Sequence, residues 1–320
     1  MPGSTAHGMN SPRFARKENA MKRHLLAIVI TGCLAVGLWA QSTAPKTDPN
    51  PNYKTSTTWA TLPANTVWGE TSSVTSDGKN QMLVLRRVDP SFFVFTNDGK
   101  FVKSWGEGLF KWAHGIRVDR DGNVWATDGQ DNLIYKFTMD GKQLLKLGQK
   151  GVAGDNASKD TFNRPTDVAV GNNGDFFVSD GYGNSRVVKF TKDGKFVKII
   201  GGTKGTGQGE FNLPHSVVID SKGRLIVGDR ENARVQIFDQ DGKFLEMWSG
   251  LGKPYGLYIT KDDTLYVGDA DGGTITIAKN GKPVDVIKEL GRPHWIGMDP
   301  SGALYMADVR AQVIKKIVKK

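Results

Sequence analysis

Residues 114–148 read HGIRVDRDGNVWATDGQDNLIYKFTMDGKQLLKLG. Four short runs of alternating apolar and polar residues are separated by Asp-Gly and Asp-Asn turns, with no helical period among them. That pattern predicts four antiparallel strands in succession. It recurs at Thr166-Asp-Val-Ala-Val with Gly174, His215-Ser-Val-Val-Ile with Gly223, Tyr255-Gly-Leu-Tyr-Ile with Asp263, and His294-Trp-Ile-Gly-Met with Gly302. A degenerate first copy starts near Glu70 and carries Asp77-Gly78. Six copies of roughly 40–50 residues predict an all-β fold, a six-bladed β-propeller over residues 66–320. The sixth copy ends after its second and third strands, at 303–307 and 313–318, so a strand from residues 53–62 is expected to close the ring and cover its exposed edges.

Upstream, Met21-Lys-Arg-His precedes an apolar run from Leu25 to Ala40. This reads as a secretory signal within a leader spanning 1–40, too short for a comfortable membrane span. Cleavage after Ala40 competes with a lipobox-like Ile30-Thr31-Gly32-Cys33, which would leave the chain lipid-anchored to a membrane through Cys33. The expectation is an exported protein, periplasmic or extracellular, with a linker at 41–65.

The single Cys excludes disulfide frameworks and thiolate metal clusters. The formal charge is +10, but residues 41–320 carry 38 basic against 32 acidic residues, and four of the lysines fall in the last six positions. A body so near balance argues against a nucleic-acid partner. The 39 glycines, well above the average of about 7%, fit frequent turns. The ring is expected to work as a monomer.

Beyond the leader the chain has three histidines, His114, His215 and His294, each eight residues before the Gly of its copy's first turn. The same position in copies one, three and five reads Glu70, Thr166 and Tyr255. Random placement of three residues on six equivalent sites among about 280 has a probability on the order of one in 10⁵. One phase of successive blades forms a ring about the axis, so the three imidazoles can converge on one ion. Three neutral imidazoles suit Zn²⁺ with an open fourth position, although copper, iron or nickel also accept them. The alternative is a repeated His that merely suits a strand entrance.

The second strands end in Asp128, Asp180, Asp229, Asp269 and Asp308, read as turn caps. One residue later stand Arg230 and, allowing a two-residue insertion in the first copy, Arg87, with Arg86 beside it. Two arginines on one rim could hold a substrate carboxylate; pairing with an acid such as Glu231 is the competing use. Tyr182 lies in a turn one residue longer than its counterparts. Positive charge beside its phenol would favour the phenolate and make it a candidate general base, against a packed surface tyrosine. Gly205-Thr-Gly-Gln-Gly209 is followed by no helix and reads as an inter-blade loop rather than a phosphate loop.

The copies resemble NHL repeats. Phe162-Asn-Arg-Pro-Thr-Asp-Val-Ala-Val, Ser179-Asp-Gly-Tyr-Gly-Asn-Ser-Arg186, Phe211-Asn-Leu-Pro-His-Ser and Asp229-Arg-Glu-Asn-Ala-Arg-Val-Gln-Ile-Phe238 resemble the peptidyl-α-hydroxyglycine α-amidating lyases over most of 66–320. The resemblance implies zinc held by His114, His215 and His294, a catalytic tyrosine at Tyr182, and active-site arginines at Arg230 and Arg87. It further implies N-dealkylation of a peptide carbinolamide to an amide and glyoxylate, with no redox cofactor. Three departures stand out. Gly183 replaces a disulfide-forming Cys after the tyrosine, Trp295 replaces an Asp that supports a structural calcium (Ca²⁺), and Arg292 replaces an apolar Met in the pocket wall. Other functions on the same ring would be a non-catalytic exported propeller binding a protein or glycan around a structural metal, or a calcium lactonase-like hydrolase. The carboxylate and Asn ligands of the latter are missing from the His-only ring.

Overall fold

The computed structural model describes residues 48–320. The leader, Cys33 and the first part of the linker lie outside the described residues. The rest forms six four-stranded antiparallel sheets around one axis. Inner strands are β2 (Thr71–Ser76), β6 (Ala113–Val118), β10 (Asp167–Val170), β14 (Pro214–Ile219), β18 (Gly256–Ile259) and β22 (Pro293–Met298). In each of the first five blades the next three strands follow outward in chain order.

Burial follows from face-to-face stacking of the blades. Middle strands such as β11 (Phe176–Asp180) and β15 (Leu225–Asp229) are buried at every position because a neighbouring blade covers each face. Outer strands such as β17 (Phe244–Ser249) keep the alternation of a half-exposed strand. Six hydrophobic clusters fill the six interfaces between consecutive blades. One joins Leu83, Leu85 and Phe92 of the first blade to Ala126 and Phe137 of the second; another joins Ala307 and Ile314 of the sixth back to Val84 and Phe95 of the first. Each fully buried Phe, Leu or Val contributes roughly 1.5–3 kcal/mol.

The sixth blade is completed by β1 (Tyr53–Ser56), antiparallel to β24 (Val313–Lys319), with Tyr53 opposite Lys319 and Ser56 opposite Lys316. Its neighbours hold it in place: the Tyr53 hydroxyl donates to Asp285 at 2.8 Å and the Trp59 indole to the Ile314 carbonyl at 3.0 Å. The closing strand is shorter than the 53–62 expected, because the chain bends at Thr57 and again at Trp59-Ala60, and Thr61 N donates to the Gly99 carbonyl of the first blade.

Candidate active site and metal centre

Three strand irregularities aim the histidines inward. Where β6, β14 and β22 pair with their second strands, the register shifts at Ala113/Ile116, Pro214/Ser216 and Pro293/Trp295, bracketing His114, His215 and His294. A bulge re-aims a side chain that the pleat would otherwise direct into the blade. The three residues are buried, and one nitrogen from each lies within 4.8 Å of the others. Ring centres are 4.7, 4.9 and 5.1 Å apart.

The intervening blades supply the partners of the imidazoles. His114 Nδ1 donates to the Thr166 carbonyl at 2.8 Å, His215 Nδ1 to that of Tyr255 at 2.5 Å, and His294 Nδ1 to that of Ser72 at 2.8 Å. A carbonyl only accepts, so Nδ1 carries the proton and the Nε2 lone pairs are left for a metal. Burial, then His294 and Arg87, holds His114 well below the ordinary imidazole range. Burial, then His114 and Arg230, does the same to His215, and burial with Arg87 takes His294 to about 3. Three neutral, pre-oriented donors fit a divalent cation.

These contacts correct one expected position. The counterpart of Thr166 and Tyr255 in the first blade is Ser72, not Glu70. Arg87 N donates to the Glu70 carbonyl as Gly129 N donates to that of Trp112, which sets Glu70 level with Trp112, two residues earlier. The first-blade turn carries its left-handed glycine, Gly78, two places ahead of its counterparts, so counting back from it overshoots. No insertion is needed to align Arg87 with Arg230.

Arg86 and Arg87 part company at the strand end. Arg86 donates to the Trp68, Val67 and Pro90 carbonyls and stacks 3.8 Å over Phe93. It takes the place of the Asp that ends the other second strands and reverses the polarity: Asp128, Asp180, Asp229, Asp269 and Asp308 accept from backbone N–H groups of the loop entering their own blade. Arg87 faces the axis, donates to the Ala113 carbonyl at 3.0 Å, lies 4.3 Å from the Trp112 ring centre and pairs with Glu70.

Tyr182 reaches over the histidines. Its hydroxyl lies 3.0 Å from His215 Nε2 and 3.3 Å from His114 Nε2, and Arg230 Nη1 is 3.4 Å away. Arg230 makes the acidic pairing weighed for it, its Nε donating to Glu231 at 2.9 Å. Where a disulfide was lacking, Gly183 N donates to the Asn163 carbonyl at 3.0 Å, and a Cβ on Gly183 would stand 2.1 Å from the Asn163 side chain. Arg292 is tied to Asp271 at 2.9 Å.

Trp295 is wholly buried beneath the imidazoles, its ring 6.1 Å from that of His114. Gly115 makes room for it, because a Cβ there would meet the indole at 2.9 Å. Below, Arg117 lies 4.7 Å from the indole centre and donates to Asp167 (3.0 and 2.7 Å), Ser216 Oγ (3.1 Å) and the Leu257 carbonyl (2.9 Å). This cation links the second blade to the next three and rests on the sixth. Sequence reasoning missed Arg117, and also Trp112 and Arg164, which share with Glu70, Leu213, Lys253 and Arg292 the phase two residues before the histidines. Reading that phase around the ring would have found them.

An NHL repeat profile matches residues 162–190 and 211–238. Peptidyl-glycine alpha-amidating monooxygenase B of Xenopus laevis is 33% identical over 252 residues, 72% of this chain and 28% of its own length. The probable peptidyl-alpha-hydroxyglycine alpha-amidating lyase of Caenorhabditis elegans is 37% identical over 148 residues, 45% of this chain and 42% of that protein. NHL repeat-containing protein 3 of Homo sapiens is 30% identical over 279 residues, 78% of this chain and 80% of that one. The chain thus spans less than a third of the amidating monooxygenase it matches. Among solved structures, virginiamycin B lyase of Staphylococcus aureus superposes with a TM-score of 0.57 at 16% identity, over 84% of this chain and all of that one, a likeness of fold.

Proposed function

We propose that this chain, which belongs to the NHL-repeat propeller family of the peptidyl-α-hydroxyglycine α-amidating lyases, is a zinc-dependent carbon–nitrogen lyase. Its substrate would be a carbinolamide of the peptidyl-α-hydroxyglycine type and its products an amide and glyoxylate. The observation that carries the reading is the Tyr182 hydroxyl, which sits against two unprotonated imidazole nitrogens and one guanidinium at once.

His114, His215 and His294 would hold the ion through Nε2. An ion so held would supply Lewis-acid polarisation of the substrate hydroxyl. Tyr182, acting as general base in its phenolate form, takes the proton from the α-hydroxyl. The carbonyl of glyoxylate forms as the carbon–nitrogen bond breaks, and the proton held by Tyr182 passes to the departing nitrogen, which becomes the amide. Arg87 and Arg230 receive the carboxylate, and their acidic partners Glu70 and Glu231 hold the two guanidiniums in place. Trp295 closes the axis below, so substrate enters from the Tyr182 side. The signal-like sequence at 21–40 supports placing this reaction outside the cytoplasm.

The test is glyoxylate release from a short peptide ending in α-hydroxyglycine, using zinc-loaded protein and subtracting spontaneous breakdown. Enzyme-dependent glyoxylate supports the lyase. A folded, zinc-loaded protein that releases none supports a binding propeller with a structural metal.

A further inference from the structure

Arg164 is a guanidinium of this mouth that the proposed reaction leaves unused. It lies in the turn Asn163-Arg164-Pro165 that enters β10, with a left-handed φ of 60° and its N–H held by Asn132 Oδ1 at 2.8 Å. The fourth blade has Asn212-Leu213-Pro214 at the same place, with φ 67° at Leu213. The conformation therefore belongs to the turn, and what is particular to the third blade is the charge.

That charge is exposed and lies 4.9 Å from the Trp112 ring centre and 5.1 Å from that of Tyr182. Four other cations of the rim are committed: Arg87 to Glu70, Arg230 to Glu231, Lys253 to Glu231 and Asp271, Arg292 to Asp271. Among the described residues Arg164 forms no salt bridge. Beside it opens a cavity of about 430 Å³ lined by Trp112, Gln130, Asn132, Asn163 and Arg164. An indole face, three carboxamides and an unpaired guanidinium form a place for an amide-bearing group that ends in an anion.

We propose that this cavity receives the acyl side of the substrate and that Arg164 binds a carboxylate there. The chain would then favour α-hydroxyglycines preceded by an acidic residue over those preceded by a neutral one of the same size. The inference rests on the lyase reading for the identity of the substrate, and on the rim geometry for the subsite.

Acetyl-Glu-Gly and acetyl-Gln-Gly differ only in charge and lack the reactive hydroxyl, so their binding to the zinc-loaded full chain can be measured by calorimetry without turnover. The Glu peptide is expected to bind about tenfold tighter. In Arg164→Gln the ratio of the two affinities falls to near one, and in Arg164→Lys part of it returns. A ratio near one in the unaltered protein, or an undiminished ratio in Arg164→Gln, overturns the subsite. The hydroxylated forms of both peptides are then assayed for glyoxylate. If the charge preference appears in binding and neither peptide yields glyoxylate, the lyase reading fails and the subsite stands.

Discussion

Replacing Asp167 by Ala should weaken the whole ring and the metal centre together. Its carboxylate is fully buried and accepts from Arg117 Nε and Nη2, Ser216 Oγ (2.8 Å), Val217 N (3.0 Å) and Val168 N (2.8 Å). Arg117, with 15% of its side chain exposed, would be left on the axis without a counter-charge, and Ser216 would lose its acceptor. Removing one partner of a buried pair costs roughly 3–5 kcal/mol, and the small exposure of Arg117 places the expected loss near 3 kcal/mol. Arg117→Met should cost about 2 kcal/mol, because three donors still satisfy the carboxylate. The double variant should cost clearly less than the two losses added, with a coupling of about 2 kcal/mol. The assay is the urea midpoint at constant slope for metal-free protein at pH 7. Zinc affinity, followed in parallel, should fall about 10–100-fold in Asp167→Ala. The reason is that Asp167 follows Thr166, whose carbonyl orients His114, and its partner Ser216 follows His215. Losses that add within about 0.5 kcal/mol, or a single loss below about 1 kcal/mol, would refute the argument that this pair ties the blades together.

Tyr182→Phe should lower kcat for glyoxylate release by about 10²–10⁴-fold while leaving zinc stoichiometry unchanged, since all three Nε2 atoms remain; loss of zinc along with activity would sink the role assigned to the phenol. His215→Ala should bind less than a full equivalent of zinc yet keep the circular dichroism of the β ring, and full retention of metal would remove the three-histidine site. Metal-free protein should lose stability as pH falls. The folded imidazoles lie below the unfolded value of about 6.5, so their contribution is present above that pH and lost beneath it, by about 2 kcal/mol each at pH 5. His294→Gln should remove about a third of that loss, and equal pH dependence in both proteins between pH 8 and 5 would contradict the buried neutral cluster. Asp180 and Asp229, held above the usual carboxylate range by burial, act in the opposite sense but cancel in that comparison.

The propeller was legible in the sequence because each blade is a local object. Its four strands follow one another through short turns, and alternation with Asp-Gly punctuation needs no knowledge of distant residues. The histidine triad was legible for a related reason: repeats convert equal phase in sequence into equal radius about an axis, so three histidines on alternate copies had to meet. Phase counting failed where a turn changed shape, as at Gly78, and the first-blade position moved from Glu70 to Ser72.

What only the tertiary structure decided lies where side chains from different blades compete for the same space. Arg86 and Arg87 are adjacent in sequence, and their directions separate only because the first-blade strand end packs Arg86 on Phe93 and leaves Arg87 to the axis. The alternation of histidine with Thr166, Tyr255 and Ser72 acquires its meaning from carbonyl acceptors one blade away. Arg117 and the burial of Trp295 acquire theirs from the closed ring. A sequence specifies pairings a few residues apart through backbone periodicity, whereas contacts across the axis exist only once closure has set the distance between blades.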